Sequence, residues 1–582
     1  MRCGRWRVGV RFVGMMGGLV LLLGVGAIHA ADTPADKAPS AATDLAVSHY
    51  NRGVRLHGMG DLNGAIAAYR DALKLRSDLT VAHYNLGLAL ASARDHDGAV
   101  AELRTGIAAQ ANDPQVQAAL AAALREKGDL AGAVTALRSA VKLKGDDPAL
   151  AHQLGLALHE QHDYHGAIAA YRTALKLKPE FAEAHYNLGA ALMATNDPDG
   201  AIAEYRAALH HQPTLAAAHL ALAKALDTKG DVAGAIAAYR TALKLHPEDP
   251  VSQTRLGSAL RIKGDLDGAI AAYREAVRLK PDDVQSQVRL GQSLLEKSDV
   301  EGAIVAYRAA LTQQPKSAGA QHGLGRALAA KHDTDGAIAA LRAAIDAQPA
   351  LAEAHEDLAG LLQAKGDVEG VVTEYRALAK LRPDDPNAHE HLGAVLRQQG
   401  DLAGAVAEFQ SAKRLSPKDA RLLHNLGVAL QEHHDLDRAI EAYRESLQLR
   451  PTYGPTHNNL GDALRAKGDL LEAIKAYRAA LALNAKDAET RLDLGLALMD
   501  THEVDEAVAE FQEALRHKPT LSLAHYNLGV AMMAKSKPKE AAQEFRAFLK
   551  QTPETSANTV LLERTRSILN ALQPYENGNG SH

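Results

Sequence analysis

The stretch "GDLDGAIAAYREAVRLKP", Gly264–Pro281, decides how this chain of 582 residues folds, because the chain writes it repeatedly. A near copy, "GDVAGAIAAYRTALKLHP", fills Gly230–Pro247, and further copies lie on both sides. The Ala of "GAI" marks the period. It recurs from Ala65 through Ala269 to Ala541 in steps of 34 residues, with Val371 in its place once. No insertion or deletion interrupts the fifteen repeats. A fixed period of this length is the signature of stacked supersecondary units rather than of a globular domain.

Each repeat reads as two helices, A and B. In repeat 7, Pro250 to Pro281, Leu256, Ala259 and Leu260 recur at helical spacing, and Ile270, Tyr273, Ala276 and Val277 do so again. "KGD" separates the two runs. Gly264 suits the left-handed conformation that ends a helix, and Asp265 suits the cap of the next one. Asp holds its slot in thirteen of fifteen repeats and Pro closes eleven, so both act as punctuation. No segment alternates with period two, so an all-α fold is expected.

Further slots recur. "HYNLG" stands at His83–Gly87 and His185–Gly189; Tyr171, Tyr205, Tyr239, Tyr273 and Tyr307 fill an aromatic slot of helix B; Ala174, Ala208 and Ala242 fill a small slot. Over Ala46–Thr555 these residues resemble the tetratricopeptide repeat family. The resemblance implies a right-handed superhelix, an α-solenoid whose A helices line a concave groove. Leu103, Leu137 and Leu341 depart from the aromatic slot, and Phe548 from the small slot of repeat 15. The array also resembles the repeat region of the protein O-linked N-acetylglucosamine transferases, which carry a large catalytic part after the repeats. Fewer than thirty residues follow the last repeat here, so that activity is not expected to carry over.

The flanks read differently. Arg2, Arg5, Arg7 and Arg11 precede the apolar run "FVGMMGGLVLLLGVGAI" and the small-residue exit "HAADTPADKAPSAAT". Residues 1–30 are expected to be a secretory signal cleaved after Ala30, or alternatively an uncleaved anchor over residues 12–28. The one cysteine, Cys3, falls in this segment, so no disulfide is expected in the mature chain. Residues 31–45 read as a flexible linker. An open repeat stack needs a cap. Residues 556–575, with Val560, Leu561, Ile568, Leu569 and Leu572, read as a capping helix, and 576–582 as a disordered tail. The expected location is outside the cytoplasm, periplasmic or extracellular in a bacterium.

No chemistry of an enzyme emerges. A net charge of −5 gives no ground for bulk nucleic-acid binding. There is no Gly-rich phosphate loop, no His-Glu-x-x-His and no Ser elbow. His49, His83, His185, His219, His355, His389, His457 and His525 occupy one slot, one per repeat, so they stack instead of converging on a metal. They read as half-buried residues packed on helix B. His162, His332, His434 and His502 read as turn residues. No catalysis, cofactor, metal or small-molecule substrate is expected.

Binding remains. The resemblance places slots 2, 5, 6, 9, 12 and 13 of helix A in the groove. Slot 6 is Asn at Asn51, Asn85, Asn187, Asn425, Asn459 and Asn527. In the transferase arrays such a ladder holds a peptide backbone, and a carboxamide suits that because it both donates and accepts. Tyr50, Tyr84, Tyr186 and Tyr526 stand beside four of them as flat apolar surface. The clamp for a partner's C-terminal carboxylate needs Lys at slot 5 and Asn at slot 9, and neither occurs, which argues against chaperone-tail binding. Arg255, Arg261, Arg289 and Arg326, followed by Glu353, Glu356, Asp357 and Glu390, suggest a docked segment with an acidic and then a basic part. The expected function is an exported scaffold binding protein or peptide partners, with membrane contact only if the N-terminal segment stays uncleaved. A non-catalytic subunit of a glycosyltransferase system and a structural spacer in an envelope assembly are the alternatives.

Overall fold

The structure, a computed structural model, describes residues 41–109, 113–555 and 558–576. The expected signal or anchor and residues 577–582 of the expected tail lie outside the described residues. Among the described residues there are thirty-one α-helices and no strand, two helices for each repeat and one more at the end. The chain divides into two compact parts, Met1–Ser293 and Leu294–His582.

Repeat 7 shows how the sequence makes the helix pair. Helix A is Pro250–Lys263 and helix B is Leu266–Leu279. Gly264 between them has φ +86°, and its N–H closes on the carbonyls of Leu260 and Arg261. The Asp265 carboxylate accepts from the Gly268 N–H at 2.9 Å. A Cβ on Gly268 would come within 2.6 Å of that carboxylate, so the Gly of "GAI" makes room for the cap. Where Arg438 takes the slot the cap bond lengthens to 3.3 Å, and where Glu472 does, Asp469 forms none.

The slot of Gly264 is left-handed in all fifteen repeats. Seven hold Gly; the other eight hold Arg94, His162, Asn196, Ser298, His332, His434, His502 and Ser536, with φ of +56° to +67°. The four turn histidines are thus turn residues, and they are strained. A left-handed conformation costs a side chain about 1–2 kcal/mol, while the extra freedom of unfolded Gly offsets roughly 0.5–1 kcal/mol of that. His332→Gly is therefore expected to stabilise the chain by about 0.5–1 kcal/mol. Gly264→Ala, where a Cβ meets nothing within 4 Å, is expected to destabilise it by about 1 kcal/mol through conformation alone. Shifts of the urea midpoint at constant slope check both.

The core of most pairs is an aromatic ring seated on a glycine. Tyr273 lies so close to Gly257 that a Cβ there would stand 2.7 Å from the ring, and Tyr443 on Gly427 and Phe511 on Gly495 repeat the contact. Leu103 on Gly87 and Leu341 on Gly325 keep it with a smaller side chain. Phe548 is buried against Tyr526, ring centroids 5.3 Å apart, which is how repeat 15 absorbs its departure.

Both ends differ from expectation in detail. Helix A of repeat 1 spans Ala41–Gly58 and so begins inside the segment read as a linker; Asp44 in its first turn complements the positive helix end. The last helix, Thr559–Glu576, packs on helix B of repeat 15, Pro538–Gln551. Leu562, Thr565 and Leu572 are buried, with Ile568 and Leu569 partly so. Val560, expected to dock, is exposed. It lies two residues before Leu562, which at 3.6 residues per turn turns it away from the packed face.

Candidate binding surface

Several side chains at slots 5 and 6 of helix A meet across neighbouring repeats, and this limits what they can do. Asn85 Nδ2 donates to the Tyr50 hydroxyl at 2.7 Å, Asn187 Nδ2 to His152 Nε2 at 2.9 Å, and Asn425 Nδ2 to Glu390 Oε1 at 3.1 Å. Each bond joins slot 6 of one repeat to slot 5 of the preceding one. Burial holds the His152 pKa down to about 4, so its ring is neutral and can accept. Asn85 and Asn187 are buried. Asn459 lies beside Tyr443 and partly offsets the rise that burial gives its pKa. Asn527 donates to the Leu523 carbonyl on its own helix at 2.8 Å. Asn51 is half-buried, with Oδ1 sealed from solvent and without a partner. Asn85, Asn187 and Asn425 thus serve as rungs between repeats, leaving at most part of each carboxamide for a ligand.

The tyrosines beside them are committed as well. Tyr50 is buried on Tyr69, and Tyr186 on Tyr205 and Tyr526 on Phe545 pack at centroid distances of 5.9 and 5.7 Å. Tyr84 is half-buried, and burial raises its pKa. These rings lean onto helix B instead of presenting flat faces outward.

The slot-4 histidines are ties. In His83, His185, His355, His389 and His525, Nδ1 lies 2.5–2.6 Å from a Glu carboxylate on helix B of the same repeat. Nε2 donates at 2.9–3.3 Å to a carbonyl at the close of the preceding repeat. A carbonyl only accepts, so Nε2 is the donor in these contacts. Among the described residues no group of three or more His, Cys, Asp or Glu is placed to hold a metal ion.

Charges on the A helices sort into paired and unpaired. Arg125–Glu160 at 3.6 Å, Arg397–Glu432 at 2.7 Å and Arg465–Asp500 at 2.8 Å each join slot 12 to slot 13 of the next repeat. Lys127–Asp97, Lys365–Asp335 and Lys467–Asp437, at 2.6–2.7 Å, form a second inter-repeat series. Opposite charges at constant offsets of 35 and 30 residues were the signal for both series, and sequence reasoning missed it. Arg326 lies 3.8 Å from Asp357, which also meets His322 at 2.7 Å. Arg261 is engaged too. Glu353 and Glu356 face Arg382, and Glu390 is buried against Arg421. Each acidic residue expected to receive a basic segment is therefore already paired with an Arg of the chain, Glu353 and Glu356 sharing one. Arg255 and Arg289 are not paired with a carboxylate among the described residues; Arg289 reaches only the Ser258 hydroxyl, at 3.3 Å.

One acidic pair stands apart. Asp462 accepts from the Tyr477 hydroxyl at 2.7 Å, and burial raises its pKa. Asp493, in slot 6 of the next repeat, is pushed up to about 6 by burial and by the Asp462 charge.

Sequence profiles described as tetratricopeptide repeat match residues 84–148, 220–284, 288–352, 322–370 and 492–554, with others at 384–452 and 182–215. A profile described as TPR repeat matches 53–93, 155–196 and 461–502. The chain belongs to the tetratricopeptide repeat family. Among solved structures this TPR chain is similar to YrrB, "a TPR protein with an unusual peptide-binding site", at 25% identity over 34% of this chain and 98% of that one, TM-score 0.31. It is also similar to MamA from Desulfovibrio magneticus RS-1, at 22% identity over 28% and 94%, TM-score 0.28. A third similar structure is Naa15/Naa10 bound to HypK-THB, at 14% identity over 90% and 97%, TM-score 0.33. No curated protein matches the TPR chain.

Proposed function

We propose that this TPR protein is an exported scaffold that binds segments of partner proteins along the A-helix face and has no catalysis of its own. The observation that carries the reading is the succession of A helices within each of the two parts, which sets charged and half-buried side chains one repeat apart. Export rests on the basic start, apolar run and small-residue exit of residues 1–30. No helix among the described residues is long and apolar enough to cross a membrane.

A second reading, a structural spacer, is favoured by a specific observation: the polar groups of slots 5 and 6 are largely satisfied between repeats. The two readings part in a capture experiment. Val251 and Leu523 are exposed on A helices, Val305 and Leu471 on B helices, so Glu at any of them spares the core. Partners captured from an envelope extract are expected to fall at least roughly tenfold with V251E/L523E and to persist with V305E/L471E, since a desolvated charge at the interface costs several kcal/mol. Equal capture by all baits selects the spacer.

A further inference from the structure

The first part of the chain holds three cations on the A-helix face that have no counter-ion. Lys224 in slot 9 of repeat 6, Arg255 in slot 6 of repeat 7 and Arg289 in slot 6 of repeat 8 stand on successive A helices, Ala216–Lys229, Pro250–Lys263 and Val284–Glu296. All three are half-buried. None forms an ion pair among the described residues, whereas Arg125, Arg397 and Arg465 on the same kind of helix each have one. Arg289 donates only to the neutral Ser258 hydroxyl. Arg255 Nε and the neighbouring Tyr239 hydroxyl are both sealed from solvent without a hydrogen-bond partner. The Asp249 carboxylate, which acts on Lys224 electrostatically, is occupied in capping helix A of repeat 7, where it accepts from the N–H groups of Val251 and Ser252. Burial and the Arg255 charge both push the Lys224 pKa down.

Half-buried cations lose hydration without gaining a partner, so an incoming anion is what would recover the difference. Their arrangement selects the anion. A phosphate needs several donors converging on one tetrahedral group. Here single charges sit on successive A helices, and packed helix axes lie roughly 8–10 Å apart. That is the reach of about three residues of extended chain.

We propose that Lys224, Arg255 and Arg289 form a binding site for an acidic segment of a partner protein, an extended chain offering a carboxylate at about every third residue, with the Ser258 hydroxyl as a hydrogen-bonding group beside Arg289. The proposal rests on the A-face reading above and names the chemistry of its partner.

The test uses the purified full chain and two labelled peptides followed by fluorescence anisotropy, one of three Glu-Ser-Ala units and one of three Gln-Ser-Ala units. The Glu probe is expected to bind at least about tenfold tighter than the Gln probe, and the advantage to shrink as salt screens the charges. R255Q/R289Q is expected to abolish the advantage. R255K/R289K, which keeps the charges, is expected to retain most of it, and K475Q on a B helix all of it. Equal binding of the two probes, or an unchanged advantage in R255Q/R289Q, overturns the proposal. Displacement of the Glu probe by inorganic phosphate as readily as by unlabelled Glu peptide makes this a small-anion site and overturns it as well. If the probes fail while V251E/L523E still loses its partners, the acidic segment falls and the A-face reading stands.

Discussion

Replacing Tyr273 by Ala is expected to destabilise its repeat by about 3–5 kcal/mol, the range for truncating a fully buried aromatic ring. The side chain is wholly buried and fills the space above Gly257 that any other residue would occupy. Ala276 and Ile270 on the same helix are buried too, and neither can swing into the void. The conservative change isolates the ring from its hydroxyl: Tyr273→Phe loses only the 3.0 Å contact with Ser258 Oγ and is expected to cost about 1 kcal/mol. In a stack where each repeat contacts mainly its neighbours, the loss stays local. Amide exchange is therefore expected to accelerate in repeats 6 and 7 and to stay unchanged in repeats 1 to 3. Uniform acceleration over the whole chain would mean that the array unfolds as one cooperative body and that the ring-on-glycine contact is not a local keystone.

That contact marks the limit of what the residues disclosed. The period, the helix pairs, the left-handed turn slot and the capping Asp were legible because each depends on a residue and its close neighbours in sequence. The reason for the Gly in "GAI" was not: only three dimensions show the Asp265 carboxylate lying where a Cβ of Gly268 would be. The candidate surface was harder still. Asn85 and Tyr50 were placed on the correct face by their slots, but whether a groove side chain reaches outward or across to the next repeat depends on the identity of a residue 35 positions away. Glu390 looked like a free surface charge until Arg421 and Asn425 were seen to enclose it. Lys224 went unremarked because its significance lies in lacking a partner, which a sequence does not show.

Asp493→Asn is expected to stabilise the chain at neutral pH by about 1–3 kcal/mol and to leave it unchanged near pH 4. The folded-state pKa is about 6 against an ordinary 3.8, so the folded chain holds this proton more tightly than the unfolded one. With the sign that follows, the charged carboxylate is a burden: absent below about pH 4, growing as pH rises toward 6, and complete above it. Displacement of a carboxyl by that amount carries at most about 3 kcal/mol, and the coupling to Asp462 divides it between two groups. Asn keeps the shape and removes the charge. His152 titrates in the opposite sense: its folded-state pKa near 4 against 6.5 makes its contribution complete above pH 6.5 and lost as pH falls, so the absolute midpoint of either chain mixes the two. The difference between variant and parent cancels the His152 contribution and isolates Asp493. Urea midpoints at pH 4 and pH 7.5 should therefore coincide at the lower pH and separate at the higher. Asp462→Asn should give a smaller separation in the same direction, because removing the Asp462 charge lets the Asp493 pKa fall back while the desolvation of Asp493 remains. Midpoints that separate equally at both values would assign the gain to packing and remove the charge from the account.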